Sequence, residues 1–224
     1  MFTKATFDFL GELADNNDRP WFEANKQRYE ALVREPALDF IEAMGPVLKT
    51  FAPYFRAEAR KVGGSLMRVY RDTRFARDKT PYKTNIGIQF RHALGKDVHA
   101  LGFYVHISPE ECFFAVGCWH PGPDALGRIR DAIAREPEKW FAARDDKNFV
   151  AQWELGGDSL TRPPRGYDAG HPAIEDLKRK DFIAMSHLSV AEVTGTGLVK
   201  LAGKRFAASA PFMKFQCEAL GVQF

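Results

Sequence analysis

Sixteen consecutive residues, Arg68 to Lys83, hold the side chains best suited to chemistry. Six are basic (Arg68, Arg71, Arg74, Arg77, Lys79, Lys83) and two are acidic (Asp72, Asp78). The stretch carries +4 while the whole 224-residue chain carries +3, so everything else sums to −1. Guanidinium forks hold phosphate or carboxylate bidentately, and ammonium groups add point charge. Tyr70, Phe75, Pro81 and Tyr82 are interleaved with the charges. A subset of Arg68, Arg71, Arg74, Lys79, Tyr82 and Lys83 converging on one side would bind a small anionic or phosphate-bearing ligand. The stretch also reads as a structural ion-pair knot, its arginines neutralised by Asp72 and Asp78.

Proton-transfer chemistry has thinner support. His106 with Asp72 or Asp78 supplies the residue types of a general base and its orienter. Lys79 or Lys83 becomes a nucleophilic amine if burial lowers its pKa. No nucleophile elbow, Walker loop or dinucleotide fingerprint is present, so enzyme status stays open and no cofactor is expected. His92 and His99 flank a turn with Asp97 adjacent and could reach a divalent ion; they read as incidental surface histidines, and no metal is expected. His120 and His171 adjoin prolines and read as loop-structuring. Asn16 and Asn17 read as a turn or cap before a helix.

The elements that position these groups follow from periodicity. Apolar stripes predict a helix over 7–15 capped by Thr6, a second over 20–34 with Pro20 in its first turn, and a third from Pro36 to about 51. Gly45-Pro46 lies inside the third, where a kink or a break is expected. After Gly63-Gly64 the period changes to two, predicting strands over 65–70, 84–91, 99–107 and 112–119. Short turn-forming segments at 94–97 and 108–111 join the last three into an antiparallel meander. A first turn centred on Gly95-Lys96 sets Ile86 opposite Val105 and Ile88 opposite Phe103. The second sets Phe114 opposite Val105. One face then carries Ile86, Ile88, Phe90, Leu101, Phe103, Val105, Phe114, Val116 and Cys118, a core face. The other carries Asn85, Gln89, Tyr104, His106, Ala115, Gly117 and Trp119, with Arg68 expected to join it. Tyr104, His106 and Trp119 are thereby candidate ligand contacts beside the basic loop.

Further on, Asp124 is expected to cap a helix to Arg135, and Pro137 to start another through Arg144. A helical piece is expected over 147–155, an edge strand near 156–166, a helix from Pro172 to Lys180 and an extended run over 182–188. A helical region over 197–220 should be split by Pro211. The whole reads as one α+β domain over 1–224: an antiparallel sheet of about four to six strands, N-terminal helices on its apolar face and C-terminal helices closing the rest.

Composition is that of a soluble globular protein, with 45% hydrophobic and 27% charged residues. The three cysteines lack CxxC spacing and read as buried thiols of a reducing compartment. The N-terminus lacks a signal peptide's apolar run, and no stretch approaches the ~20 apolar residues of a membrane span. A cytoplasmic location without membrane association is expected. The mild net charge disfavours nucleic acid, although Arg68 to Lys83 could serve as a flat basic surface for a protein or nucleic-acid partner. No motif sets an oligomeric state.

The chain resembles an uncharacterised conserved family of bacterial and fungal proteins described only as a domain of unknown function. The matching pieces are Phe7-x-Phe9-Leu10, Asn16-Asn17 with Trp21-Phe22, Arg71-Asp72-Thr73-Arg74-Phe75 and Asp78-Lys79-x-Pro81-Tyr82-Lys83. Trp119-His120-Pro121, Pro164-Arg165-Gly166-Tyr167 and His171-Pro172 continue the match. The resemblance implies a single α+β domain and marks the central charged stretch as a signature. It assigns no activity.

Overall fold

The structure is a computed structural model that describes residues 1–95 and 99–224. Its first helix, α1, runs Lys4–Asp15. It starts ahead of Thr6, whose Oγ1 instead accepts from the Thr3 N–H. Asp18 caps α2 (Arg19–Ala24) by accepting from the Trp21 N–H. The expected 20–34 helix breaks at Asn25 into α2 and α3 (Lys26–Tyr29). A π-helical turn, Glu30–Arg34, then leads into α4 (Glu35–Lys49), which runs through Pro46.

The sheet contains β1 (Ile86–Arg91), β2 (Gly102–Ile107), β3 (Cys112–Cys118), β4 (Glu154–Gly156) and β5 (Phe182–Leu188), all antiparallel, in the order β1-β2-β3-β5-β4. The β2–β3 register is as expected, with Val105 opposite Phe114. The β1–β2 register is offset by two residues, since Ile88 rather than Ile86 faces Val105. The connection begins early, in a turn closed by the Gly95 N–H donating to the His92 carbonyl (2.8 Å). The rest of the expected 94–97 turn lies outside the described residues. An even offset leaves every side chain on its own face, so the expected core face is buried throughout.

Residues 65–70 do not form the expected regular strand. They touch the segment before β1 and β1 itself at two bridges, Leu66 with Ile88 and Tyr70 with Tyr82. Four steps of chain on one side span six on the other, so two residues bulge out between Tyr82 and Ile88. Bulges interrupt a ladder and re-aim side chains. The expected 147–155 helical piece is α7 (Lys147–Val150) followed by the edge strand β4. The expected 172–180 helix shortens to α8 (Ile174–Leu177).

α5 (Pro123–Arg135) begins after Gly122, one residue before the expected cap Asp124, and is followed by α6 (Pro137–Arg144). Ser189 and Glu192 form a reciprocal capping box on α9 (Val190–Thr194). Pro211 lies in the first turn of α11 (Ala210–Leu220), which follows α10 (Leu198–Ala208). Both helix groups cover the same sheet face. Phe40 of α4 meets Phe90, while Phe206 of α10 meets Phe90, Phe103 and Phe114. Trp140, Phe212 and Phe215 join α6 to α11. The three cysteines are buried. With the apolar face filled from both ends of the chain, the opposite face is left half-buried, its alternate residues Gln89, Tyr104, His106, Phe113, Ala115, Ile183 and Met185 partly exposed.

Candidate functional site

That half-buried face is the floor of a cleft of about 560 Å³. Gly102, Ala115 and Gly117 keep the floor low, Met67, Lys83 and Asn85 form one wall, and Ile183 and Met185 of β5 form the other. From Phe113 to Trp119 the floor extends about 20 Å at the usual rise of a strand. Gly87 makes room at one end, since a Cβ there would stand 2.9 Å from the Tyr104 hydroxyl. Gly117 has φ +110°, and a Cβ would collide with the Phe182 carbonyl oxygen at 2.0 Å. Only glycine allows β3 and β5 to approach there.

Lys83 is the sole charged side chain among the described lining residues. Its position is fixed by its neighbour. Asn17 donates from Nδ2 to the Tyr82 carbonyl (2.9 Å) and accepts from the Tyr82 N–H (3.0 Å), so a side-chain amide replaces a missing strand partner. The Tyr82 ring stacks on Phe22 at 4.0 Å in the core. Consecutive residues of extended chain point to opposite sides. Burying Tyr82 therefore turns Lys83 to the cleft, where its N–H is held by the Val69 carbonyl (2.7 Å). Burial pushes the Lys83 amine below the usual lysine range, and the positive charge of Arg68 pushes in the same direction. No carboxylate pairs with it among the described residues.

Three polar groups meet in the same cleft. His106 Nδ1 lies 3.3 Å from Tyr104 Oη and 3.4 Å from Asn85 Nδ2. Burial pushes the Tyr104 phenol up to about 12, so it stays protonated and donates. Burial pushes His106 down, favouring the neutral ring. With two donors directed at Nδ1, the ring proton is assigned to Nε2. The ring stacks on Phe113 at 4.7 Å, 3° from parallel. The arrangement offers a hydrogen-bond donor, a phenol and an amine within one largely apolar recess.

The charged loop lies elsewhere. Arg71 pairs with Asp78 and also donates to Thr80 Oγ1. Arg74 forks onto Asp72 from Nε (2.9 Å) and Nη2 (2.6 Å). The guanidinium of Arg74 takes the Asp72 carboxyl down to about 2. The Thr80 N–H, with Arg71, does the same for Asp78. Lys79 is exposed and donates to the Thr73 carbonyl (2.8 Å). Arg68 is exposed and does not join the sheet face; Met67 lines the cleft instead, placed by its N–H bond to the Gly87 carbonyl. Of the sequence candidates, the cleft unites Lys83, Tyr104, His106 and Trp119 and excludes Arg68, Arg71, Arg74, Lys79 and Tyr82. Neither Asp72 nor Asp78 partners His106, and Lys79 is not a buried amine.

Trp119 stands half-exposed at the far end, stacked on His99 at 5.6 Å. His92 is buried, bonded to the Gln223 carbonyl and to the Leu94 N–H, so it does not face His99 as a metal ligand. Asp97 lies outside the described residues, among which no three His, Cys, Asp or Glu side chains gather as a metal site. His120 has φ 46°, and both its N–H (2.7 Å) and its Nδ1 (3.1 Å) meet Oδ1 of the buried Asp181. His171 bonds the Ala134 carbonyl and the Ala173 N–H, structuring its loop.

Sequence reasoning placed Asn85 on the cleft face but missed Met67, Phe113 and Met185 among the lining residues. Asn85 was visible two residues from Lys83 on an extended segment, whereas Met185 depends on β5 pairing with β3, which periodicity does not encode. Among the described residues no helix is long and apolar enough to cross a membrane. No curated protein and no solved structure matches the chain. The model of the conserved hypothetical protein family DUF2461 matches residues 5–215, and the chain belongs to that family.

Proposed function

We propose that the cleft binds a small anionic molecule with a flat apolar body, carrying a carboxylate or phosphate. The observation that carries this reading is Lys83: one positive side chain, without a carboxylate partner among the described residues, in a recess whose other described lining is apolar or neutral. Ligand sites typically combine an apolar lining with a few placed polar groups. Lys83 meets the anion, Asn85, Tyr104 and His106 supply hydrogen bonds, and Phe113, Met185 and Trp119 cover the body. The binding unit is the whole chain as one domain. A thermal-shift panel of aryl carboxylates, aryl phosphates and dicarboxylates tests it. A ligand at a hundred times its Kd stabilises by about 2.7 kcal/mol. Stabilisation of the wild type by an anionic aryl compound supports the reading, and a panel without effect removes it.

A second reading rests on Phe75, which is 96% exposed and lies 5.9 Å from the Arg74 guanidinium carbon. With Arg68 and Arg77 also exposed, the loop presents a basic surface with an aromatic tip, suited to a protein or nucleic-acid partner. Anisotropy with a labelled single-stranded oligonucleotide tests the nucleic-acid form. Binding that Phe75→Ala abolishes and Lys83→Met leaves intact would favour it.

A further inference from the structure

We propose that Lys83 is a nucleophilic amine that condenses with a carbonyl-bearing ligand, an aldehyde or a 2-oxo acid, to form an imine. The proposal rests on the cleft being a ligand site and adds a reaction to it. Lysine becomes a nucleophile when it is removed from water in an apolar recess or set beside another cation. Lys83 meets the first of these conditions by its place in the cleft. It is half-buried in the cleft wall, and Arg68 is the charged group acting on it. Among the loop's other cations, Arg71 and Arg74 are held by carboxylates and the Lys79 amine is tied to the Thr73 carbonyl, while Arg77 stands exposed to water rather than in a recess.

A lysine that forms a covalent adduct also needs a rigid base. The Asn17 clamp on Tyr82, the Phe22 stack and the Val69 carbonyl fix the backbone at Lys83 from three directions.

The chemistry balances without an oxidant or reductant. The neutral Nζ attacks the carbonyl carbon, forming the C–N bond as the C=O π bond breaks, and a proton passes from the nitrogen to the oxygen to give the carbinolamine. The carbinolamine then loses water as the C–O bond breaks, its nitrogen giving up a proton, so that amine and carbonyl become imine and water. His106 Nε2–H is the lining donor left to hydrogen-bond the departing oxygen, since the Tyr104 O–H is spent on Nδ1, and the proton that completes the water is the one the nitrogen gives up. Protonation of the imine keeps a positive charge where Lys83 had one. An anionic carbonyl compound thus keeps its counter-charge through the reaction.

The test uses the full chain with 4-carboxybenzaldehyde, a flat anionic aldehyde, and sodium cyanoborohydride, followed by peptide mapping by mass spectrometry. The expected result is one dominant reduced adduct at Lys83, formed at least about fivefold faster than at the exposed Lys79. Lys83→Arg, which keeps the charge, should abolish that adduct, and Arg68→Met should slow it. The non-carbonyl analogue 4-(hydroxymethyl)benzoate separates the two readings in a thermal-shift assay of the wild type. Stabilisation by the analogue with no adduct at Lys83 overturns the imine and leaves the binding site standing. No stabilisation, with adducts scattered over exposed lysines, overturns both.

Discussion

The two halves of the central charged segment obey different physics. From Arg71 to Lys79 the chain is mostly exposed and largely satisfies itself, Arg71 turned onto Asp78 and Arg74 onto Asp72. From Pro81 to Asn85 it is anchored to residues distant in sequence and presents one amine to a cavity. Exposed ion pairs gain little, because water and salt screen them and two long side chains must be ordered. A desolvated amine without a counter-charge is energetically costly where it stands, and that cost is what a ligand or a reaction can exploit. The contrast teaches that charge density in a sequence does not locate chemistry. The single cation set in a recess beside the buried Tyr82 matters more than the cluster next to it.

This contrast can be broken experimentally from its strongest element downward. Tyr82→Ala removes a ring that is 2% exposed and stacked on Phe22, and should cost about 3–5 kcal/mol in denaturant unfolding. Phe75→Ala, at the exposed end of the same segment, should leave the unfolding midpoint unchanged. If the two variants were equally mild, the anchor would not exist.

Asn17→Ala deletes both hydrogen bonds to the Tyr82 backbone and leaves a part-buried N–H and carbonyl unpaired, costing about 2 kcal/mol. It should also reduce ligand stabilisation, because Lys83 loses its fixed base. A stable variant with undiminished ligand binding would show that the clamp is dispensable.

The titration of His106 offers a gentler probe of the cleft. Its folded pKa is depressed by burial, so below the unfolded value of about 6.5 the unfolded chain binds a proton that the folded ring resists. Its contribution is present above that value and is lost as pH falls through it toward the folded pKa. His106→Gln should therefore lose less stability than the wild type between pH 7 and pH 5. Parallel stability curves for the two proteins would place His106 in open solvent. At the weak end, Asp72→Asn should leave the melting temperature unchanged, read in low salt where surface pairs count most.

Much of this was legible in the sequence, and the failures have physical causes. Alternation over 86–118 sorted core from cleft correctly even though one hairpin was offset, because an even shift preserves faces. Tyr82 and Lys83 are adjacent on extended chain, so both could not face one ligand, and the aromatic was the better candidate for the core. The ion-pair reading of Asp72 and Asp78 describes the loop as it stands. The role of Asn17 could not be read, because its partner lies 65 residues away and an asparagine before a helix is ordinarily a cap. Indeed Asn16 and Asp18 on either side do serve helix ends, Asn16 bonding the Glu12 carbonyl and Asp18 capping α2. The covering of one sheet face by both ends of the chain, which opens the cleft on the other, is a matter of topology that no local pattern carries.

The most direct measurement is the affinity of the best panel ligand, by calorimetry, for three proteins: wild type, Lys83→Met, and Arg74→Ala with Lys79→Ala. The account predicts that the loop double variant binds as the wild type does while Lys83→Met loses at least about tenfold, some 1.4 kcal/mol. Binding that survives in Lys83→Met and disappears in the loop variant would contradict it.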